Sequence, residues 1–345
     1  MPDRSRETRP TLEAVAARAG VSRATASRVV NGGAGVRAPL ADRVREAVAE
    51  LGYVPNLAAR SLVTRRSGAV AVIIAEPEFR VFSDPFFERQ LRGISRELTV
   101  HDSQLVLLWV EGQDDHERIA RYLGGGHVDG ALAFSLHDHD DLPSVVRGSG
   151  VPAVFGGRPG GPGAGSQGAV PFVDCDNRGG ARVAVRHLVA LGRSRIAHIA
   201  GPSDQTSARD RLDGYRDVLP TADPSLTVHG DFTAASGARA MAGLLDRGAA
   251  PDAVFASNDL MASGALTVLR ERGLRVPEDV ALVGFDDMTP VAEATDPPLT
   301  TVRQDIEGNG RLMVRLLMRA LGDGGGDAAP ASVITPTTLV HRASA

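Results

Sequence analysis

The strongest constraint on the fold lies in residues 11–62, where helix caps and apolar positions alternate at short intervals. Thr11 is placed to cap a helix that Gly20 ends, because a threonine oxygen accepts from the first free amides and glycine tolerates a left-handed stop. Ser22 is placed to cap a second helix, from Arg23 to about Asn31. Two short helices joined by a tight turn predict a helix-turn-helix, whose second helix presents its first residues to the base edges of DNA.

A third helix is predicted over Leu40–Leu51, where five apolar residues recur at helical spacing before Gly52. The next segment, Tyr53–Leu62, contains Pro55 as a helix start but is too short to be a stable helix alone. We therefore expect this segment to order only against DNA or against a second copy of the chain.

The distribution of charge supports a nucleic-acid partner for the N-terminal part of the chain. All 38 basic residues are arginine, and twelve of them lie in residues 1–66 against six of the 42 acidic residues. This part carries a net charge of +6, whereas the remainder carries −10. A local positive charge favours phosphate binding, and the acidic remainder disfavours non-specific adhesion to DNA.

Length and composition exclude several classes of protein. The chain has 345 residues, of which 43% are hydrophobic, so it is long enough for more than one domain with a large core. No apolar run approaches the ~20 residues that span a membrane, and the first ten residues lack the apolar segment of a signal peptide. Cys175 is the one cysteine, which excludes an internal disulfide. We expect a cytoplasmic protein with no membrane partner.

From Gly68 onward, short apolar strands alternate with amphipathic helical stretches, a pattern typical of parallel sheets covered by helices on both faces. The predicted helices are near 86–99, 115–123, 178–191, 207–219, 234–247, 260–273 and 305–321. The predicted strands are Ala69–Ala75, Gln104–Val110, Gly130–Phe134, Ala153–Phe155, Pro171–Val173, Ile196–Ala200, Ala253–Ala256 and Val280–Phe285. These are too many for one ordinary sheet, and a Gly/Pro-rich loop over 156–168 lies near the middle. We interpret the region as two doubly wound lobes.

Polar residues follow several of these strands directly. Because ligands collect beyond the carboxyl ends of parallel strands, we expect these residues to converge on one cleft between the lobes. They include Ser135, Arg158, Asp174, Asp176, Asn258 and Asp286, with Asp84, Phe86 and Phe87 after the first strand. Carboxylates and an amide beside aromatic rings suit a sugar or a small polyol.

The stretches AGVSRATASRVVN, LGYVPN and ARSL resemble the LacI/GalR family of bacterial transcription regulators, and the resemblance continues through the C-terminal region. It implies a multi-domain fold, an all-α helix-turn-helix head and an α/β periplasmic-binding-protein-like core of two doubly wound lobes. The expected bounds are 1–54 for the head, 55–67 for a hinge helix and 68–345 for effector binding and dimerisation. The first lobe is expected at about 69–167 and 302–322, and the second at about 168–301 and 323–340, with the last crossing at 322–326.

The resemblance also implies how the head meets DNA. Leu62 corresponds to a leucine that is wedged into the minor groove. Arg23 and Arg28 are candidates for guanine edges because they lie on the outer surface of the second predicted helix. Ala24 cannot hydrogen-bond a base through its side chain, so the base code of relatives does not transfer. The predicted DNA-contacting residues are Ser22, Arg23, Ala24, Thr25, Ser27, Arg28, Asn31, Tyr53, Asn56, Ala59 and Leu62.

For the effector, the resemblance adds Arg211, Phe232 and Gln304 to the residues that follow from strand ends, and it also matches Asn258 and Asp286. Gly157 stands where the lactose repressor has an aspartate, so lactose-like specificity does not transfer. The predicted effector-binding residues are Asp84, Phe86, Phe87, Arg158, Asp176, Arg211, Phe232, Asn258, Asp286 and Gln304.

These observations predict a homodimeric repressor that binds a palindromic operator and whose DNA affinity is controlled by a small molecule, with a sugar favoured. A purine or another metabolite acting as corepressor is the alternative. A sugar-binding transport receptor would have no use for a basic head. No catalytic motif is found, so we expect neither an enzyme nor a cofactor or metal, and His137–Asp141 is interpreted as a solvated loop rather than a metal cluster.

Overall fold

The computed structural model describes residues 10–54, 66–112, 114–138, 140–160, 171–322 and 332–345. The chain divides into two compact units, Met1–Gly68 and Ala69–Ala345, here called the head and the core. None of the described helices is long and apolar enough to cross a membrane.

Within residues 10–54, the described part of the head that holds its helices, the chain forms α1 (Leu12–Ala19), α2 (Arg23–Val30) and α3 (Ala38–Leu51). The predicted caps are confirmed: the Ala14 amide donates to Thr11 Oγ1 at 3.2 Å, and the Thr25 amide donates to Ser22 Oγ at 3.1 Å. Gly20 and Gly52 both adopt the left-handed conformation, with φ of 63° and 60°. The helices enclose one small core, formed by Val15, Ala16, Ala19, Ala26, Val44 and Ala47.

The described residues of the core form two six-stranded sheets. The strands, β1 to β12 in chain order, are Ala69–Ile74, Gln104–Trp109, Gly130–Phe134, Ala153–Gly156, Phe172–Cys175, Ile196–Ala200, Thr227–His229, Ala253–Ala256, Ala281–Asp286, Thr300–Arg303, Val333–Thr335 and Thr338–Val340. The first sheet has the order β11-β5-β4-β3-β1-β2, and the second has the order β12-β10-β9-β8-β6-β7. Neighbouring strands are parallel except β12, which pairs with β10 in the antiparallel direction.

Helices cover both faces of each sheet, which explains why the central strands are continuously apolar rather than alternating. All five residues of β3, for example, are buried. The described helices of the core, α4 to α13, are Glu78–Ser83, Pro85–Val100, Asp114–Gly124, Leu142–Gly148, Asn177–Ala190, Thr206–Val218, Ala234–Asp246, Asp259–Glu271, Thr289–Ala292 and Ile306–Leu321. A single 3-10 turn, Pro224–Leu226, precedes β7.

The chain crosses between the two lobes at other positions than predicted. β5 belongs to the first sheet, where Phe172 pairs with Phe155, so the first crossing follows Cys175 rather than residue 167. β10 belongs to the second sheet, so the second crossing follows Arg303 rather than residue 301. β11 pairs with β5, and the last crossing therefore lies between β11 and β12 rather than at 322–326.

The prediction missed β7, β10, β11 and β12 because each has three or four residues and several are threonine-rich, so no apolar run marks them. It also missed α4, α7 and α12, which have four to seven residues, too few for a helical period to stand out.

Candidate effector cleft and DNA-reading head

The carboxyl ends of strands from both sheets meet at one cavity, whose volume is about 900 Å³ including the space open to solvent. From the first lobe, Ser135 follows β3 and Arg158 follows β4; from the second, Asn258 follows β8 and Asp286 ends β9. This is the position at which open parallel sheets bind ligands. The expected convergence of these side chains on one cleft therefore occurs.

Nine of the ten residues predicted to bind effector line the cavity, and Asp176 does not. Its carboxylate instead caps α8, because Oδ1 accepts from the Gly179 amide at 2.8 Å. Asp174 lines the cavity in its place, and burial raises the pKa of that carboxyl. Residues two apart in a strand point to the same side, so Asp176 would face the cavity with Asp174 if β5 continued. The strand ends at Cys175, however, and the start of α8 turns the Asp176 side chain away. The nine are Asp84, Phe86, Phe87, Arg158, Arg211, Phe232, Asn258, Asp286 and Gln304.

Arg211, on α9, is the most extensively bonded side chain of the cleft. Its Nε donates to Asn177 Oδ1 at 2.9 Å, Nη1 donates to the Ser257 carbonyl, and Nη2 lies 3.1 Å from Asp286 Oδ1. The guanidinium stacks 3.7 Å from the centroid of the Phe285 ring. Both charges are buried, with 5% of Arg211 and 6% of Asp286 exposed. Buried charges persist only when paired in this way, so the pair is a fixed polar wall of the cavity.

Phe232 presents an aromatic side chain to the cavity from a strained backbone. Its φ is +67°, and the conformation is held because Asn258 Nδ2 donates to the Phe232 carbonyl at 2.8 Å. The same Asn258 accepts from the Met261 amide at 2.9 Å and thereby caps α11. A Cβ on Gly201 would overlap the Phe232 ring, which explains glycine there. Backbone strain that several contacts maintain is typical of ligand-binding sites. The aromatic ring that this backbone holds can stack on a ligand.

Asp84 caps α5 on the opposite side of the cavity, where its Oδ1 accepts from the Phe86 amide at 2.9 Å. Burial raises the pKa of the Asp84 carboxyl to about 6, and the nearby charge of Asp286 adds to that increase. Phe87 packs in the lobe interior against Phe134, whose ring centroid is 6.2 Å away. Phe86 is only half-buried, so it is the ring of this pair with surface left for a ligand.

Several side chains bridge the two lobes around the cavity. Arg158 Nη2 contacts both carboxylate oxygens of Asp210 at 2.7 Å, and Arg209 pairs with Asp138. His137 Nδ1 lies 2.8 Å from Asp204 Oδ2. Within the described members of the 137–141 run, Asp141 is exposed, as a solvated loop predicts. His137, Asp138 and Asp140 are instead half-buried, and the first two hold the lobes together.

Glu76 is the centre of this interlobe network. Its Oε1 accepts from Ser135 at 2.5 Å, from Arg80 at 2.7 Å and from Gln205 of the second lobe at 3.0 Å. Burial alone would raise the pKa of the Glu76 carboxyl, but the hydrogen bond from His137 and the charge of Arg80 lower it overall. The same contact with Glu76 is the largest cause of a raised pKa at His137.

Several residues of the cavity or the network were not predicted from the sequence, among them Glu76, Arg80, Asn177 and Gln205. Glu76 directly follows the first predicted strand, and that position was a usable signal. Arg80 lies on α4, which was not predicted, and Gln205 lies immediately before a predicted helix. Arg80 and Gln205 take part in the site through contacts between the lobes, and a pattern of strands and helices does not predict such contacts.

In the head, all described residues predicted to meet DNA except Tyr53 lie on α2 or are its two caps. Ser22, Arg23, Ala24, Arg28 and Asn31 are exposed, whereas Thr25, Ser27 and Tyr53 are half-buried. In this structure Arg23 Nε lies 2.5 Å from Glu13 Oε1. Asn56, Ala59 and Leu62 lie outside the described residues.

Comparison with known proteins assigns both units. The model of bacterial regulatory proteins of the lacI family matches residues 11–56, and that of a periplasmic binding protein-like domain matches residues 185–345. The chain is 47% identical to the HTH-type transcriptional regulator CelR of Thermobifida fusca, over 98% of this chain and 99% of that one. This chain belongs to the lacI family of bacterial regulators.

The lacI-family regulator is also 33% identical to the ribose operon repressor of Escherichia coli K12, over 90% of this chain and 93% of that one. A solved complex of CelR with cellobiose matches with a TM-score of 0.76 and 45% identity, covering 98% of this chain and all of that one. The lac repressor dimer bound to operator and the anti-inducer ONPF matches with a TM-score of 0.83 and 31% identity, covering 98% and 99%. The protein is thus a DNA-binding transcriptional regulator with an effector-binding core, and its relatives are regulators rather than enzymes.

Proposed function

We propose that this regulator is a repressor that releases its operator when a neutral glucose disaccharide, with cellobiose as the first candidate, occupies the cleft. The proposal is supported by the 47% identity to CelR over nearly the whole chain and by the likeness to the CelR–cellobiose complex. Carbohydrate recognition also agrees with the cavity chemistry, since ligand pockets combine aromatic walls with a few placed polar groups.

The charge balance of the cavity carries the proposal, because it favours a neutral ligand. Three arginines line the cavity, and each is already paired: Arg80 with Glu76, Arg158 with Asp210 and Arg211 with Asp286. A phosphorylated or acidic sugar would have to compete with these carboxylates. Breaking either of the two buried pairs, Arg80–Glu76 or Arg211–Asp286, costs ~3–5 kcal/mol, whereas the Arg158–Asp210 pair is partly exposed and costs less. The site therefore disfavours sugar phosphates and uronates.

The remaining polar groups match the donors and acceptors of sugar hydroxyls. Gln304 Nε2 donates to Asp286 Oδ1 at 2.7 Å, which leaves the other Asp286 oxygen as an acceptor for a ligand. Asp174 adds a second carboxylate on the opposite wall. The faces of Phe232 and Phe86 supply stacking surfaces on the two lobes.

The first test is ligand binding by the full chain. Thermal shift and calorimetry would compare cellobiose, glucose, lactose, glucose 6-phosphate, hypoxanthine and guanine. We expect cellobiose to raise the melting temperature by mass action and glucose 6-phosphate to have no effect. Tight binding of a purine with no response to cellobiose would replace this proposal with a corepressor, and the direction of the DNA response would then be reversed.

We propose further that a homodimer presents two heads to a palindromic operator, as is typical of helix-turn-helix regulators. Sedimentation of the free chain would test the dimer. Operator sequences would be selected from randomised duplexes, and fluorescence anisotropy would then record release by cellobiose. A selected sequence without two-fold symmetry, or a monomer at the concentrations used, would contradict this arrangement.

Base readout is proposed for Arg28, which is exposed on α2. Arg28→Ala is expected to weaken operator binding by about 1–3 kcal/mol and to relax selectivity at one base pair of each half-site. Arg45→Ala is the matched control, because Arg45 is an exposed arginine of the same unit that pairs with Asp42 on α3. Equal losses for the two variants on operator and on random DNA would reduce Arg28 to a phosphate contact.

A further inference from the structure

Arg80 is a buried arginine at the meeting point of the two lobes, and no role was predicted for it. It lies on α4 with 8% of its surface exposed, and it lines the effector cavity. Its Cζ atom is 5.9 Å from the ring centroid of Phe87 in the first lobe and 5.5 Å from that of Phe232 in the second. The guanidinium is therefore positioned by aromatic residues of both lobes.

The Arg80 guanidinium has N–H donors that are not hydrogen-bonded to any residue that the structure describes. An arginine side chain carries five N–H donors. Within the described part of the chain, the Arg80 side chain makes one hydrogen bond, from Nη1 to Glu76 Oε1 at 2.7 Å, and its buried Nε has no partner. By contrast, all three nitrogens of Arg211 are engaged, and Arg158 is half exposed to solvent. Arg80 is thus the buried arginine of the cavity that is most incompletely satisfied.

The carboxylate that holds Arg80 is itself fixed. Glu76 Oε1 accepts from Ser135 on one lobe and from Gln205 Nε2 on the other, so the position of the Arg80 guanidinium does not depend on a ligand. A buried donor without a partner destabilises the empty site, and a ligand that supplies an acceptor in a preorganised site recovers that free energy.

We propose that Arg80 is a specificity-determining residue for the effector, and that its unengaged N–H groups donate to one hydroxyl of the bound saccharide. This inference rests on the proposed carbohydrate effector. A site built to hydrogen-bond a hydroxyl discriminates strongly against the analogue that lacks it, because the donors then remain unpaired. Arg80 would accordingly select among neutral disaccharides through its unengaged N–H groups, while its ion pair with Glu76, like the pairs of Arg158 and Arg211, disfavours anionic ones.

The test uses the full chain and the series of monodeoxy cellobioses, in which one hydroxyl at a time is replaced by hydrogen. Calorimetry would give the Kd of each sugar for the wild type and for Arg80→Met, which keeps an unbranched apolar stem beside the two rings but removes every donor. For the wild type, we expect one or two positions to lose roughly tenfold or more in affinity. Arg80→Met should bind cellobiose itself with an affinity lower by about the same factor. For this variant, removing the hydroxyl that faces Arg80 should cause no further loss of affinity.

A structural role would give another pattern, since a distorted cavity weakens all sugars alike. The assignment would be overturned if Arg80→Met lost affinity equally for every sugar of the series. It would also be overturned if the variant kept the wild-type loss of affinity at every deoxy position. Arg178→Met is the matched control, because Arg178 is half exposed on α8 and pairs with Asp217 away from the cavity lining. It should leave the whole series unchanged.

A second variant keeps the test decisive if Arg80→Met does not fold. Arg80→Lys retains a positive charge opposite Glu76 but has no planar fork of donors. It must change the penalty at the same hydroxyl while leaving the other positions unchanged, and an unaltered series would refute the proposal. If the wild type binds no member of the series, the carbohydrate effector fails and this assignment fails with it; if the wild type binds and the Arg80 variants behave like it, only the assignment fails.

Discussion

Replacing Asp84 by asparagine is expected to stabilise the protein, although the change removes a charge from a helix N-terminus. The Asp84 carboxyl is 8% exposed, and burial raises its pKa to about 6 from the ordinary 3.8. Asparagine is as good a helix cap as aspartate, and its Oδ1 can keep the hydrogen bond that Asp84 accepts from the Phe86 amide. The variant therefore removes the cost of a buried charge while keeping the cap.

The magnitude and its pH dependence follow from proton linkage. Because the folded-state pKa is raised, the folded state binds more protons than the unfolded state between pH 3.8 and 6, and the penalty of ionising Asp84 grows with pH over that window. A shift of about two units corresponds to ~3 kcal/mol once both states are ionised. Asp84→Asn should thus gain roughly 1.5 kcal/mol over the wild type at pH 5 and about 3 kcal/mol at pH 8.

Urea unfolding at pH 5, 6, 7 and 8 would measure this difference. Trp109 is the one tryptophan and lies in the core, so its fluorescence reports the unit that contains Asp84. The control is Asp176→Asn, which alters a cap on α8 whose carboxylate is exposed and keeps its hydration. A gap between Asp84→Asn and the wild type that stays constant across the pH series, or a variant less stable at pH 8, would refute the reasoning.

Three further predictions concern the cleft and the hinge. Arg211→Met should abolish effector binding and lower the free energy of unfolding by ~3–5 kcal/mol, because Asp286 stays buried without its partner; calorimetry and urea unfolding check both. The hydrogen bond with Glu76 raises the pKa of His137, so protonated His137 stabilises the core fully below pH 6.5, and this contribution is lost as pH rises through the folded-state pKa. In His137→Gln, the free energy of unfolding of the core should therefore depend less on pH above 6.5. An unchanged pH dependence in urea unfolding would contradict this. Leu62→Ala should weaken operator binding far more than binding to random DNA in anisotropy titrations, and equal losses would exclude a minor-groove wedge.

The head could be predicted from the sequence almost residue by residue, because its determinants are local. Thr11, Ser22, Gly20 and Gly52 each act within one helical turn of their own position, and all four adopt the expected cap geometry. The start of α3 is two residues earlier than predicted, since Pro39 in its first turn extends the helix toward Arg37.

In the core, local pattern predicts the long buried strands but not how the chain is shared between lobes. β5 and β11 pair with each other across about 160 residues of sequence, and neither has an apolar run that marks it as part of the first sheet. Cleft residues that follow a strand directly, such as Asp286, were predictable from the sheet rule. Arg80 and Gln205 were not, because their contacts depend on the partner lobe rather than on their neighbours in sequence.

The groups that hold the lobes together and those that face the effector belong to one network. Glu76 connects Gln205 of the second lobe to Arg80 in the cavity wall, and Arg158 both lines the cavity and pairs across the cleft with Asp210. A ligand that contacts these side chains changes the free energy of one lobe arrangement relative to another, which is the only way in which an effector can shift such an equilibrium. A hundredfold difference in affinity between two arrangements supplies ~2.7 kcal/mol, comparable to one or two of these hydrogen bonds. Substitutions within the network must therefore change effector affinity and the basal lobe equilibrium together, whereas a residue that alters only selectivity must contact the ligand without bridging the lobes.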